Sequence, residues 1–351
     1  SDDEIKQLFA LEIIEGLPLS SWQKTINRLF QSGSPDVRNR ILTMTWDEED
    51  IISNADIVAA MNKHDDVSPE AIMVAGQRQL NHVTDELENF LSTDDPNISA
   101  AAAAAILHID SGPTDQAENH LKNMLESDDE VTQATALKRL VNNDQFLPQD
   151  ALISFLSHEG DIISNAALTI ASKRKDETLI LAVITNLAIP KTSLQARQTL
   201  EQFSDELVLD QFEILIESED TLRKLRLGII RALREYPDDR AIDLLLTQLN
   251  QTDQDRYNEV VDALLAVARI HPIGEEKKDR ITEEIRAMAQ KLYTLNENIR
   301  LLPDDENRFL MHDHLHNEIQ NTLPTLLKLG VLNVPDTPIE TYIHTLSLIH
   351  I

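Results

Sequence analysis

The sequence predicts an all-α fold, a solenoid of stacked helix pairs. A helix-turn-helix unit recurs about every 31 to 35 residues between roughly 90 and 270, and its turns carry an acid in the same frame at Asp95, Asp128 and Asp161. A period in this range is typical of helical solenoids. Only 4% of the residues are aromatic, glycine and proline number 8 and 13 of 351, and no strand-like alternation stands out. We therefore expect almost no β-sheet.

The second helix of each unit has apolar residues at three- and four-residue spacing, which form one face of a helix. These predicted helices are 98–109, 131–141, 162–172, 194–203, 222–233 and 258–268. Small residues lie near the middle of this face, where they allow neighbouring helices to pack closely. They are Ala134, Ala136, Ala166, Ala167, Ala196, Gly228 and Ala263.

A first helix precedes each of the later second helices, at 117–125, 151–156, 179–188, 209–216 and 241–249. Several helix starts can be read from capping residues. The segment from Ser127 to Glu130 fits a capping box. In three further places a capping residue stands before a proline at the first helical position, which tolerates the missing N–H. These places are Ser34-Pro35, Ser68-Pro69 and Asp95-Pro96.

The flanking segments differ from the central repeats. Residues 1–90 are predicted to form atypical capping repeats, 91–271 the regular repeats, and 272–351 a C-terminal helical capping segment, all within one elongated unit because each repeat contacts only its neighbours. Four helices are predicted in the first segment, at 22–30, 37–46, 51–61 and 69–80. Two long helices are predicted in the last, at 275–302 and about 307–329, with an acidic break at Pro303-Asp304-Asp305.

An apolar stripe follows these long helices and runs to the end of the sequence. It consists of Ile339, Tyr342, Ile343, Leu346 and Ile349. Two interpretations are open: the chain is a piece of a longer protein, or the stripe belongs to a final helix that docks on the preceding ones.

A resemblance to a known repeat family rests on two residues, the acid Asp220 in a turn and Arg226 in the helix that follows it. Together with the paired helices they resemble a HEAT repeat, of the short bacterial kind related to phycobilisome-lyase repeats. The resemblance implies a right-handed α-α superhelix in which Asp220 and Arg226 belong to a ladder between neighbouring repeats. The units at Asp129 and Asp161 keep the acid but lack the arginine, so other helical-pair repeats such as armadillo remain open.

The segment 309–332 is similar to helices that follow HEAT repeats in bacterial fusion proteins with a nucleotide-transporter-like membrane domain. This resemblance implies that the chain is the soluble region of a larger membrane-associated protein. No membrane domain and no nucleotide-binding motif occurs in the sequence.

The net charge limits the partners of this chain. It is -30, from 61 acidic and 31 basic residues. Nucleic acids and anionic membranes are disfavoured, because binding them requires an excess of lysine and arginine. We expect a protein partner, either a basic protein or the remainder of the same chain.

Many basic residues lie on the second helices, which commonly line the concave side of a solenoid. Two interpretations are open: the charges complement helix C-termini, or they form a basic stripe that holds a phosphate-bearing ligand or an acidic peptide. Arg197, Arg223 and Arg226 are the candidate partner-binding residues. The full set is Lys138, Arg139, Lys173, Arg174, Lys175, Arg197, Arg223, Lys224, Arg226, Arg231 and Arg234.

His312 and His316 are the weak candidates for a metal site, since they lie four residues apart on one helical face with Asp313 between them. Two zinc ligands have this spacing, but the pattern indicates no third ligand. There is no cysteine and no glycine-rich phosphate loop, so no cofactor is predicted. The lack of cysteine and of a long apolar segment or signal peptide is typical of a cytoplasmic protein or of the cytoplasmic face of a membrane protein.

Two functions remain at the level of sequence. The favoured one is a non-catalytic protein–protein interaction scaffold or regulatory module within a larger protein. The alternative is a metal-dependent or lyase-like enzyme built on helical repeats. A bound zinc ion with His312 and His316 as ligands would favour the enzyme.

Overall fold

The computed structural model describes residues 2–109, 112, 114–142, 144–249, 253–302 and 308–333. Within these ranges it contains nineteen α-helices and no β-strand, which confirms the predicted all-α helical-repeat fold. The chain divides into two compact units, Ser1–Lys175 and Asp176–Ile351. The finer division of the sequence at 90 and 271 stays a prediction.

The helices of the first unit alternate between first and second partners after an N-terminal helix. They are α1 (Asp2–Ile14), α2 (Gln23–Ser32), α3 (Pro35–Met44), α4 (Asn54–Met61), α5 (Ser68–Gln77), α6 (Thr84–Phe90), α7 (Pro96–His108), α8 (Thr114–Leu125), α9 (Glu130–Arg139), α10 (Gln149–Leu156) and α11 (Asp161–Arg174). The second helices α3, α5, α7, α9 and α11 pack on one another in this order.

The second unit continues the alternation and ends in two longer helices. Its helices are α12 (Ile180–Thr185), α13 (Ser193–Leu200), α14 (Asp205–Glu217), α15 (Arg223–Ala232), α16 (Asp239–Thr247), α17 (Gln254–Ala268), α18 (Glu275–Arg300) and α19 (Arg308–Leu332). The predicted helix 179–188 is interrupted, because 3₁₀ turns at Glu177–Leu179 and Asn186–Ala188 flank α12.

Two of the predicted helix caps are confirmed. The Ser34 hydroxyl accepts a hydrogen bond from the Val37 amide at 3.4 Å, and the Asp95 carboxylate accepts one from the Asn97 amide at 2.8 Å. In both helices a proline follows the cap directly. The side chain therefore satisfies one of the amides that the first helical turn leaves unpaired.

Two other cap predictions are wrong. Ser68 is not a cap but the first residue of α5; it is fully buried, and its hydroxyl donates to the Ala60 carbonyl at 3.0 Å. The capping box at Ser127 does not form either, because Asp129 caps α9 by accepting from the Thr132 amide at 3.0 Å. At Ser68 the hydroxyl bonds a carbonyl of the preceding helix, and at Ser127 an acid two residues further on caps the helix.

The sequence did not predict α1 and α6. Ile5, Phe9 and Ile13 of α1 are largely exposed, and α6 spans only 7 residues. Most of the apolar face of α1 is therefore exposed, and that of α6 is limited to the buried Leu87 and Phe90, which is too short for the periodicity argument.

The core consists of aliphatic side chains and of small residues where the second helices meet. All of the alanines from Ala100 to Ala105 in α7 are buried, as are the predicted small residues of α9, α11, α13 and α17. Gly76 of α5 approaches α7 so closely that an added Cβ atom would lie 2.5 Å from the Ala105 Cα atom. Gly228 of α15 is in similar contact with the carbonyl group of Leu187. Close packing of the helix backbones therefore requires glycine at both positions.

The last two helices pack along each other, and α19 also packs on α17. Lys328 forms an ion pair with Asp262 at 2.6 Å, and the Thr325 hydroxyl donates to the Asn258 side chain at 2.7 Å. The predicted acidic break at 303–305 and the apolar stripe at 339–349 lie outside the described residues. None of the described helices combines the length and apolar character needed to span a membrane.

Candidate partner-binding grooves

A groove lined by positive charges lies in the second unit, and we call it the arginine groove. Its volume is about 430 Å³. Its cationic lining residues are Arg197 of α13, Lys224 and Arg231 of α15, and Arg234 of the 3₁₀ turn that follows α15. Its other lining residues are Leu187, Ala188, Pro190, Ser193, Leu227 and Gly228. Among the described residues, no aspartate or glutamate lines this groove.

The helical repeat positions these cations. Lys224, Arg231 and Arg234 recur along α15 and the turn after it at spacings of seven and three residues, which returns them to one side of the helix. The contact between Gly228 and Leu187 brings this side of α15 against the turn before α13. Arg197 of α13 then faces the cations of α15 across the groove.

Two carboxylates balance part of this charge. Glu259 of α17 accepts from Arg231 at 2.6 Å and from Arg234 at 2.8 Å, and Glu235 pairs with Arg197 at 3.3 Å. Lys224 is exposed and has no carboxylate within ion-pair distance in the described part of the chain. Four positive charges therefore stand against two negative ones. The lining of the groove remains positive in a chain whose net charge is -30.

The hydrogen bonds shift the titration of these groups. The hydrogen bond to Glu259 raises the pKa of Arg231. Burial by itself would raise the pKa of Glu259, but the hydrogen bond from Arg231 and the charge of Arg234 lower it below its ordinary value. The Nε atom of Arg234 is buried and has no hydrogen-bond partner in the described structure.

Of the three predicted partner-binding residues, only Arg197 lies in the groove. Arg226 is half-buried, and its guanidinium donates to the Ser218 carbonyl. Arg223 is exposed and binds Asp253 at 2.5 Å and Asp255 at 3.3 Å. The groove residues Lys224, Arg231 and Arg234 belong to the predicted basic stripe but were not singled out within it.

The predicted ladder between neighbouring repeats at Asp220 and Arg226 stays a prediction. No ion pair joins Asp220 to Arg226 among the described residues. Ion pairs between neighbouring repeats do occur at other positions. Arg223 binds the Asp253 carboxylate, which also caps α17, and Arg38 binds Asp65 at 3.4 Å in the first unit. Each pair joins a second helix to the turn before the next second helix.

A wider groove lies in the first unit, and we call it the tryptophan groove. Its volume is about 770 Å³. Residues from the second helices α3, α5, α7, α9 and α11, or from the turns directly after them, line it. These residues are Thr43, Trp46, Glu70, Met73, Val74, Gln77, His108, Lys138, Arg139, Val141, Thr169 and Lys173.

The Trp46 ring is 44% exposed at one wall of the tryptophan groove. Its backbone is held by Arg78 of the loop after α5, whose Nε atom donates to the Trp46 carbonyl at 2.6 Å. The same guanidinium donates to the carbonyls of Thr45 and Ile52, each at 2.7 Å. Arg78 therefore satisfies three carbonyls around the end of α3 and the loop that follows. No local sequence pattern marks Arg78, because its partners are 26 to 33 positions away.

The tryptophan groove also has a positive excess. Arg139 of α9 binds Glu70 of α5 at 2.8 Å, so the pair joins the two helices that flank α7. Lys138 and Lys173 are exposed. Burial lowers the pKa of His108, which favours the neutral imidazole, and its Nε2 atom has no hydrogen-bond partner in the described structure. Glu70 is paired with Arg139, and Lys138 has no ion pair among the described residues, so the lining carries a positive excess.

The predicted metal-site residues lie on α19. The His312 and His316 rings are stacked, with centroids 6.0 Å apart, and both residues are exposed. No group of three or more potential metal ligands occurs in the described part of the chain. The structure therefore brings the two histidines together without a third ligand.

No protein-family model matches this sequence, and no curated protein matches it. A chain in a homology model of the full-length AP-3 complex in an intermediate open conformation aligns with 99% of this chain and 73% of its own length, at 11% identity and a TM-score of 0.37. The crystal structure of an engineered protein aligns with 69% of this chain and 97% of its own length, at 18% identity and a TM-score of 0.20. At these TM-scores neither likeness bears on the fold or the function.

Proposed function

We propose that this chain is a non-catalytic protein–protein interaction scaffold of HEAT-like helix pairs that docks an acidic segment of a partner protein in the arginine groove. The observation that carries the proposal is the lining of this groove, which has four cations and no carboxylate among the described residues. In a chain with a net charge of -30, this lining is a local region of opposite sign, which favours an acidic ligand.

The charges of the groove decide which partner fits. A basic segment would meet a lining with a net positive charge, so the groove favours an acidic segment over the basic partner suggested by the net charge. Arg231 and Arg234 both present guanidinium donors, which match carboxylates in geometry. Each exposed ion pair contributes about 0.2–1 kcal/mol, and salt weakens it. Several carboxylates acting together are therefore needed for measurable affinity.

The partner segment belongs to a second protein or to a further part of the same polypeptide. A basic protein bound to the acidic outer surface is compatible with this proposal, because the two surfaces are separate. We place the interaction in the cytoplasm, on the strength of the sequence analysis alone. Fractionation of cells that express the labelled full-length protein would test the location.

Selection from a displayed library of random peptides on the full chain tests the proposed function. We expect the selected peptides to be rich in aspartate and glutamate and to bind more weakly as salt is raised. The diagnostic variant is Lys224→Glu, because Lys224 makes no ion pair in the described structure and its replacement leaves the fold intact. Loss of one attraction and gain of one repulsion cost about 1–2 kcal/mol together, which raises the Kd about tenfold.

The matched control is Arg286→Glu, which makes the same change in net charge on the exposed side of α18, outside the groove. We expect this variant to bind the selected peptides as the wild type does. Peptides without acidic enrichment, or equal weakening by both variants, would contradict docking in the arginine groove.

A further inference from the structure

The tryptophan groove combines an exposed aromatic ring, buried apolar side chains and an excess of positive charge in one opening. We propose that it binds a partner-protein segment in which an apolar side chain lies next to an acidic one. This inference rests on the proposed scaffold function and adds a second site with a different specificity. The arginine groove selects for acidity, whereas the tryptophan groove selects for acidity beside an apolar residue.

The apolar part of this specificity comes from Trp46 and its neighbours. A tryptophan ring that is 44% exposed presents a large apolar surface to water. Met73 and Val74 lie buried beneath the groove, and Val141 is half-buried at its side. Methionine adapts its shape to different apolar side chains. A leucine or an aromatic residue of the segment can therefore cover the ring and remove apolar surface from water.

The acidic part of this specificity comes from the end of α9. Lys138 is exposed there and has no ion pair in the described structure, whereas the neighbouring Arg139 is already paired with Glu70. The only carboxylate among the lining residues is thus neutralised. A carboxylate of the segment would pair with Lys138 without meeting an unpaired acid of the groove.

His108 also lines the groove, and its Nε2 atom is buried without a hydrogen-bond partner in the described structure. Buried polar atoms are nearly always hydrogen-bonded in folded proteins. A movement of the imidazole ring toward the opening would let a backbone group of an extended segment satisfy this nitrogen. The groove volume of about 770 Å³ lies within the range of sites that enclose a ligand of a few residues.

The sequence supplies a fluorescent reporter for the test. The chain contains two tryptophans, Trp22 and Trp46. In full-length protein carrying Trp22→Phe, all tryptophan emission therefore comes from the groove. The probe is a six-residue peptide in which glutamate and leucine alternate, blocked at both ends. Two matched peptides have lysine in place of glutamate or serine in place of leucine.

We expect a saturable change in Trp46 emission with the glutamate–leucine peptide and at least tenfold weaker binding of both matched peptides. Lys138→Glu is expected to raise the Kd about tenfold. Lys122→Glu makes the same charge change at an exposed residue of α8 outside the groove, and it is expected to leave the Kd unchanged. Trp46→Ala is also expected to bind the peptide more weakly. Because this variant lacks the fluorescent reporter, its binding is measured by fluorescence anisotropy of a labelled peptide.

Four results would overturn the inference. The first is binding of the peptide without a change in Trp46 emission. The second is peptide binding that is weakened by Lys224→Glu but not by Lys138→Glu. This result would place the peptide in the arginine groove and would still support the proposed function. The third is an equal emission change with inorganic phosphate alone, which would show a general anion site. Absence of any binding by the alternating peptide also overturns it, while acidic library peptides bound at Lys224 would still support the scaffold function.

Discussion

Replacement of Gly76 by alanine tests the close packing of α5 on α7. The new Cβ atom would lie 2.5 Å from the Ala105 Cα atom and 2.7 Å from both the Cβ atom and the carbonyl oxygen of Ala105. Two of these three atoms are backbone atoms, so no side-chain rotation relieves the contact. Alanine is favoured over glycine in a helix by about 1 kcal/mol, whereas overpacking costs about 1–3 kcal/mol or more. With contacts this short we expect the upper part of that range and a net loss of about 2 kcal/mol.

Thermal unfolding followed by circular dichroism measures this loss. For a unit of this size, 1 kcal/mol corresponds to about 2–4 °C, so the transition of the first unit is expected to fall by about 4–8 °C. Gly330→Ala is the matched control, because Gly330 also lies in a helix but an added Cβ atom meets nothing within 4 Å. That variant is expected to be unchanged or more stable by up to about 1 kcal/mol. A Gly76→Ala protein as stable as the wild type would refute the close-packing argument.

Three further predictions concern side chains outside the grooves or behind them. Arg78→Ala leaves three backbone carbonyls without their charged donor, so denaturant unfolding is expected to show a loss of about 2 kcal/mol, and Arg78→Lys is expected to recover only part of it. The hydrogen bond from Arg223 lowers the pKa of Asp253. A carboxylate whose pKa is lowered in the folded protein stabilises the fold above its unfolded-state pKa, and this stabilisation is lost as the pH falls through its folded-state pKa. The stability deficit of Asp253→Asn relative to the wild type is therefore expected to shrink below about pH 4. A deficit that stays constant with pH would exclude this contribution of Asp253. Equimolar zinc is expected to leave the unfolding midpoint unchanged, since His312 and His316 are only two ligands. A rise of the midpoint with zinc that His312→Ala abolishes would instead support a metal site.

The sequence predicted the helices where local signals determine them. Apolar spacing and small residues located the second helices, and Ser34 and Asp95 marked two helix starts. Ser68 misled the same reasoning, because its hydroxyl binds the Ala60 carbonyl, a contact between two helices. Local patterns identify the residues that can cap a helix, but they do not show which distant groups compete for them.

The grooves could be predicted only in part. The repeat placed basic residues on the second helices, and the sequence alone could not say which of them meet carboxylates or carbonyls. Arg226 is occupied by a carbonyl in the preceding turn, whereas Lys224, two positions earlier, is open to solvent. The Arg139–Glu70 pair joins residues 69 positions apart. Such pairings depend on how successive repeats rotate against one another, which periodicity does not encode.

Asp253 has two partners that belong to different parts of the chain. Its carboxylate caps α17 and also binds Arg223 of the preceding second helix, and Asp65 in the first unit likewise accepts from the Val67 amide while it binds Arg38. If one helix pair opens, the next loses a contact at the position where its second helix begins. Nearest-neighbour terms of this kind make unfolding spread along a repeat array. We therefore expect adjacent repeats to exchange their amide hydrogens together, in blocks larger than one helix pair.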